Sequence, residues 1–192
     1  MSLRENFLII SPSWIGDLII SQSVLKYLKK EYINCSIDII VRPDLIEIAK
    51  MMPEVNKIYS LDIDHNSLGL AKRYRLAKTI KKNLYTSSII LPNSFKSAII
   101  PWLANIPIRI GYKRELRSIL LTQKYSLAKH ENTMVNRYLK LVNSSYSECL
   151  RPFLNIDMST LELTRKKYII SNSRKNIFLW LKYSIKKKLN YF

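Results

Sequence analysis

The sequence predicts an α/β fold: a doubly wound parallel sheet with helices on both faces. Three observations predict it. Short apolar runs of strand length recur along the chain, at 7–10, 37–41 and 87–91. Between them lie longer stretches whose apolar residues repeat at helical spacing. The first run is also apolar at every position, the pattern of a strand buried on both faces. Strands alternating with helices join by right-handed crossovers into one parallel sheet.

The elements follow in order. Residues 7–10, Phe-Leu-Ile-Ile, form a buried strand that ends at Ser11-Pro12. From Leu18 the apolar residues Ile19, Val24, Leu25 and Leu28 share a helical face, and Lys29 and Lys30 supply the cations that a helix C-terminus favours. The second strand is 37–41. Pro43 then opens a short helix through Met51, at the first-turn position proline tolerates. A third strand is expected at 57–61, a long basic helix at 68–82 and a fourth strand at 87–91. Ser94 is placed to cap a helix running to Leu103. A fifth strand covers 108–112 and a closing helix 132–142. Beyond these, 161–171 reads as a helix, 176–181 as a strand, and 182–192 as a basic, aromatic end.

Composition bounds the function. The chain has 192 residues, 47% of them hydrophobic, enough for one domain with a real core. Cys35 and Cys149 do not make a disulfide framework, and a reducing compartment follows. The net charge of +18 favours polyanions: nucleic acid, phosphorylated glycans or an anionic membrane face. Biased codon usage, visible in the Lys, Ile, Asn and Tyr content, produces the same look. No helix-turn-helix, RNP or zinc-finger pattern occurs, which argues against nucleic acid. No apolar run is long enough for a signal core or a membrane span. The expectation is a cytoplasmic protein, touching the inner face of a membrane at most peripherally. No metal cluster is found and no cofactor is expected; His65 and His130 are given no role.

The first loop carries the chemistry. Ser13, Trp14, Gly16 and Asp17 lie between a strand's carboxyl end and a helix, where doubly wound sheets place their ligands. Gly16 allows a tight turn or a close approach to a ligand. Asp17 has two readings that are compatible. It caps the helix, or it faces the cleft and takes a proton from a sugar hydroxyl, at a helix N-terminus that favours negative charge. With one glycine and no Gly-Lys-Ser/Thr, the loop is neither a dinucleotide fingerprint nor a phosphate loop.

Several motifs together carry a resemblance. Ser11-Pro12-Ser13-Trp14-Ile15-Gly16-Asp17, followed by Ser21-Gln22-Ser23, resembles the opening of the ADP-heptose:lipopolysaccharide heptosyltransferase II family, within glycosyltransferase family 9. Met52-Pro53-Glu54-Val55-Asn56, Leu91-Pro92-Asn93-Ser94-Phe95-Lys96-Ser97-Ala98 and Ile106-Pro107 with Arg109-Ile110-Gly111-Tyr112 continue it, over about 7–141. The resemblance implies the GT-B architecture of two facing Rossmann-like domains. The N-terminal domain would hold the phosphorylated lipopolysaccharide inner core as acceptor, and the C-terminal one ADP-heptose as donor. The reaction implied moves heptose onto the first heptose of the core, with inversion, and Asp17 falls on the family's general base. Acceptor-binding candidates are then Ser13, Trp14, Gly16, Lys72, Arg73, Arg75, Asn93, Ser94, Lys96, Arg109, Lys113, Arg114 and Arg117. The arginines offer bidentate geometry to phosphates and carboxylates.

The resemblance also implies a departure. A family member should continue through a second domain that begins with a strand and a Gly-rich, Lys-containing loop. Here Ile177-Phe178-Leu179-Trp180 stands where that strand would begin. Lys186-Lys187-Lys188 echoes the loop without its glycines, which makes Lys187 the donor-binding candidate. The later Asp-Ser-Gly motif is missing. The expected organisation is an acceptor-binding domain at 1–150, then an inter-domain segment and vestigial start of the donor domain at 151–192. A chain so truncated would be impaired by itself. The alternative is a non-catalytic module that binds an anionic glycan.

Overall fold

The computed structural model describes residues 5–63, 67–114, 116–127, 133–145, 147 and 150–155. The chain divides into two compact units, Met1–Leu154 and Asn155–Phe192, and the sheet and its helices belong to the first. The elements expected at 161–171, 176–181 and 182–192, and Lys187, lie outside the described residues.

The first unit alternates strand and helix as the periodicities require: β1 (Asn6–Ile10), α1 (Ile15–Glu31), β2 (Ser36–Val41), α2 (Ile46–Lys50), β3 (Lys57–Ser60), α3 (Leu70–Lys81), β4 (Ser87–Ile90), α4 (Ile99–Leu103), β5 (Ile108–Tyr112), β6 (Gln123–Tyr125) and α5 (Met134–Lys140). All six strands are parallel, in the order β3-β2-β1-β4-β5-β6. From β1 the chain winds outward through β2 and β3, then returns to the other side of β1 with β4. This is the doubly wound sheet expected, and its switch point falls between β1 and β4.

Period-2 alternation sends successive residues of each strand into two cores. Phe7 and Ile9 of β1, Ile37 and Ile39 of β2, and Ile89 of β4 join Leu18, Leu25 and Leu28 of α1 on one face. Leu8 and Ile10, Ile40 and Ile90 meet Ala77 and Ile80 of α3 and Ile100 of α4 on the other. The register stacks Ile9 between Ile39 and Ile89, all three fully buried. Removing any one of these side chains would cost about 2–5 kcal/mol. Asp38 interrupts β2 with a carboxylate, which accepts from Asn56 Nδ2 (3.0 Å) and from the Tyr85 hydroxyl. A buried charge is tolerable there because both its oxygens are bonded.

Gln22, fully buried in α1, binds the residues that follow α5. Its Nε2 donates to Phe153 O (2.5 Å) and Glu54 Oε2 (2.9 Å), and its Oε1 accepts from Phe153 N (2.8 Å). The side-chain amide thereby behaves like one more backbone partner for the chain at 153.

The structure corrects several boundaries. Helix α1 begins at Ile15, three residues before the expected start, because extended Trp14 is its N-cap. Helix α3 begins at Leu70, since Gly69 holds a left-handed conformation (φ 54°) that ends the preceding loop. The expected helices after Pro43 and Ser94 each open with a 3-10 turn, Pro43–Leu45 and Phe95–Ala98. Strand β6 was not expected: three residues, two of them exposed and polar, carry no periodic signal.

Candidate functional site

The carboxyl ends of β1, β2, β4 and β5 open on one edge of the sheet, where Ile10 lies opposite Ile40 and Ile90, and Ile90 opposite Gly111. The loops leaving that edge build a crevice at the switch point. Its two halves share Ser13, Pro92 and Ser94 in their walls.

One half is lined by Trp14 and Asp17 from the first loop and helix, Asn93 from the loop after β4, and Arg137 and Tyr138 from α5. Its volume of about 290 Å³ is close to that of the smallest ligand sites, roughly 300 Å³. Asp17 is half-buried in the first turn of α1. It is not the N-cap, a position held by Trp14, so its place at the crevice wall owes nothing to capping. Trp14 is 60% exposed and lines the same half of the crevice as the carboxylate. Gly16 has ordinary helical backbone, and a Cβ there would meet nothing within 4 Å. The tight turn expected of it is therefore not needed, and its missing side chain simply leaves space.

Two neighbours fix the electrostatics. The Tyr138 phenol is pushed above its ordinary pKa, first by burial and then by the negative charge of Asp17, with Arg137 opposing. Helix α5 is held by its Thr133 cap, which accepts from Asn136 N (3.4 Å), and by the Tyr112 hydroxyl, which donates to Arg137 O (2.6 Å). Asn93 is different. Its side-chain oxygen is buried in the crevice wall and accepts no hydrogen bond among the described residues. Such an acceptor costs about 1–3 kcal/mol, and a ligand hydroxyl or N–H would satisfy it.

The other half is cationic. Arg42, Arg73 and Lys96 line it with Ser11 and Ser97, and among the described residues no Asp or Glu is in its wall. Burial lowers the Arg73 pKa.

Not every candidate reaches the crevice. Arg117 is fully buried: its Nε donates to Tyr112 O (2.7 Å), and its Nη1 to Pro92 O and to Ser97 Oγ (3.2 Å). It therefore shapes the loop after β4 instead of presenting a charge to a ligand. Gly111 makes room for it, since a Cβ there would come within 2.8 Å of its Nη2. Arg109 is the second residue of β5, at the amino end, and its guanidinium donates to Leu120 O and Ile106 O. It stands on the wrong edge of the sheet for the crevice. Lys72 and Arg75 line a separate open groove along α3, where Lys72 donates to Asp62 O (2.7 Å). Lys113 and Arg114 are exposed just after β5 and line neither half.

Arg42, Arg137 and Tyr138 were missed in the sequence. Arg42 follows β2 at its carboxyl end, so the rule that flagged the first loop applies to it as well. Arg137 and Tyr138 had no such signal, because only the packing of α5 on α1 brings them to Asp17.

Comparison with known proteins gives consistent matches. Residues 73–180 match the family described as "Glycosyltransferase family 9 (heptosyltransferase)". Lipooligosaccharide heptosyltransferase 2 of Haemophilus influenzae is 37% identical over 170 residues, covering 85% of this chain and 49% of the relative. Lipopolysaccharide heptosyltransferase 2 of Salmonella typhimurium is 39% identical over 135 residues, covering 70% and 39%. The solved structure of Escherichia coli ADP-heptose lipopolysaccharide heptosyltransferase II superposes with a TM-score of 0.76 at 30% identity, covering 88% of this chain and 52% of that one. The chain thus spans about half the length of these relatives, or less.

Proposed function

The chain belongs to glycosyltransferase family 9, the heptosyltransferases, and on that premise we propose that it is the acceptor-binding half of a heptosyltransferase II. Its substrates would be ADP-heptose as donor and the phosphorylated inner core of lipopolysaccharide as acceptor. The observation that supports this most is the meeting of Asp17, Asn93 and Ser94 in one crevice at the switch point of the sheet. A carboxylate, a buried acceptor and a hydroxyl, beside an exposed indole, suit a sugar held by its hydroxyls and one apolar face.

The mechanism follows from these groups. Asn93 and Ser94 orient the acceptor sugar while Trp14 covers its face. The acceptor hydroxyl loses its proton to the Asp17 carboxylate as its oxygen attacks the anomeric carbon of the donor heptose. The bond from that carbon to the diphosphate breaks on the opposite face, and ADP leaves with the electron pair. The configuration inverts in the single displacement, and the proton ends on Asp17. Holding both partners in line supplies much of the acceleration.

The domain division, 1–150 for the acceptor and 151–192 for the inter-domain segment and start of a donor domain, is part of the proposal. So is a cytoplasmic location with peripheral contact at an anionic membrane face. Leu116 (86% exposed) and Ile119 (78% exposed) stand beside Lys113 and Arg114, a mixture that suits a lipid surface. Among the described residues no helix is long and apolar enough to cross a membrane.

The test mixes the chain with ADP-heptose and a core acceptor carrying one heptose. Transfer that falls by about 100-fold or more in Asp17→Asn, with acceptor affinity kept, supports the enzyme. Saturable acceptor binding without transfer leaves the acceptor-binding half standing; if supplying the donor half of a relative then restores no transfer, the chain is a glycan-binding module instead. If neither occurs, the proposal fails.

A further inference from the structure

Two of the sequence motifs have no part in the crevice. Neither Ser21-Gln22-Ser23 nor Met52-Pro53-Glu54-Val55-Asn56 contributes a residue to either half of it. They meet instead, through Gln22 and Glu54, on the backbone of Phe153. That residue belongs to no helix or strand, and it is 63% exposed. Its two backbone polar atoms are nevertheless held by one fully buried side chain. Gln22 Oε1 accepts from Phe153 N (2.8 Å), and Gln22 Nε2 donates to Phe153 O (2.5 Å). An amide offers this pair only one way round. The acceptor-only carboxylate of Glu54 sets that way, because it too accepts from Nε2 (2.9 Å). A buried amide among apolar neighbours is tolerated only when bonded, and these are long-range bonds. Lys26, one turn further along α1, donates to Arg151 O (2.7 Å). Leu150 is buried, and Leu154 packs partly buried against the same core. The first compact unit ends at Leu154.

We propose that Gln22 and Glu54 form a clasp that seats the chain's exit from the first unit on α1, with Gln22 as the positioning residue of that exit. The clasp grips backbone atoms, so it is indifferent to the side chain at 153, proline apart. Glu54 acts through Gln22, by fixing which end of the amide faces which atom. The seat lies on the helix that also carries Asp17, so residue 153 keeps a fixed place relative to that carboxylate. What the seat serves rests on the transferase reading. There the chain beyond 154 leads to the donor half, and the clasp fixes the point from which that half is tethered to the helix of the base. The clasp itself does not rest on that reading.

Amide hydrogen exchange and nitrogen relaxation, read by NMR on the full chain, test this. The amide at 153 is expected to exchange at least about 100-fold more slowly than an unstructured one, with an order parameter of about 0.85. Gln22→Met should speed its exchange about 10-fold or more and bring the order parameter below about 0.6, with β1 and β2 unchanged. Glu54→Ala should speed it about three-fold or more, while Glu54→Gln, which keeps an acceptor oxygen, retains the protection. Phe153→Ala removes only the ring and should leave the amide at 153 protected. Gln22 is buried, so Glu54→Ala, at a partly exposed position, decides the matter if Gln22→Met does not fold. An unprotected amide at 153 in the unaltered chain overturns the clasp, as does unchanged exchange in Glu54→Ala. Acceleration of equal size throughout β1 and β2 overturns it too, by making Gln22 a packing residue, and protection lost in Phe153→Ala would assign the hold to the ring. Neither measurement involves transfer. A chain without transferase activity leaves the clasp standing, and a loose residue 153 leaves the reading of Asp17 standing.

Discussion

Asn93 couples stability to ligand binding in a single side chain. Its buried oxygen accepts nothing among the described residues, so the free chain carries a desolvation penalty that a bound hydroxyl would relieve. Asn93→Leu is therefore expected to leave thermal stability unchanged or raise it by about 1 kcal/mol, while acceptor affinity falls roughly 10-fold. Thermal denaturation and glycan titration on the same variant check both halves; a destabilised variant with intact affinity would make Asn93 structural. The sequence marked Asn93, Ser94 and Asp17 because they follow apolar strands. It could not separate Arg117 from Arg73, since two basic residues in basic surroundings look alike until burial is known. One is bonded to backbone carbonyls inside the fold, the other lines a cavity.

At the scale of elements, the crevice depends on how β5 meets the loop after β4. The Arg117 guanidinium lies against the backbone of Gly111 and ties Pro92 and Ser97 to β5. A methyl group at 111 would strike a side chain that its hydrogen bonds hold in place. Gly111→Ala should therefore destabilise the fold by about 1–3 kcal/mol in urea denaturation. In an Arg117→Met background the same substitution should cost clearly less, because the clash is gone. Equal costs in both backgrounds would show that the loop is not held this way. Long apolar elements were readable here: the periods of β1, β2, α1 and α3 place them within three residues of where they lie. Short β6 was not, because edge pairing with β5 depends on backbone bonds that leave no pattern in side chains. The start of α3 was also displaced, by the left-handed backbone at Gly69.

For the whole molecule, the +18 charge acts through its distribution. Lys113, Arg114, Leu116 and Ile119 are expected to bring the chain to anionic vesicles, with affinity falling steeply as salt rises. The paired change Leu116→Ser and Ile119→Ser should reduce co-sedimentation severalfold at constant charge; an unchanged pellet would reduce the contact to bulk electrostatics. The alternation of apolar runs and amphipathic stretches was enough, by itself, to determine the parallel doubly wound sheet and to point to the loop containing Asp17, because burial on two faces imposes a local period. The tertiary structure alone decided the strand order, the switch point between β1 and β4, and the company Asp17 keeps. Arg137 and Tyr138 are more than a hundred residues away in sequence, and Arg42 lies across the sheet edge in another loop. Such meetings depend on packing between elements, for which a linear pattern has no periodic signature. Asp17 could thus be named from the sequence, whereas the cations that would hold its substrate could be sorted only after the chain was folded.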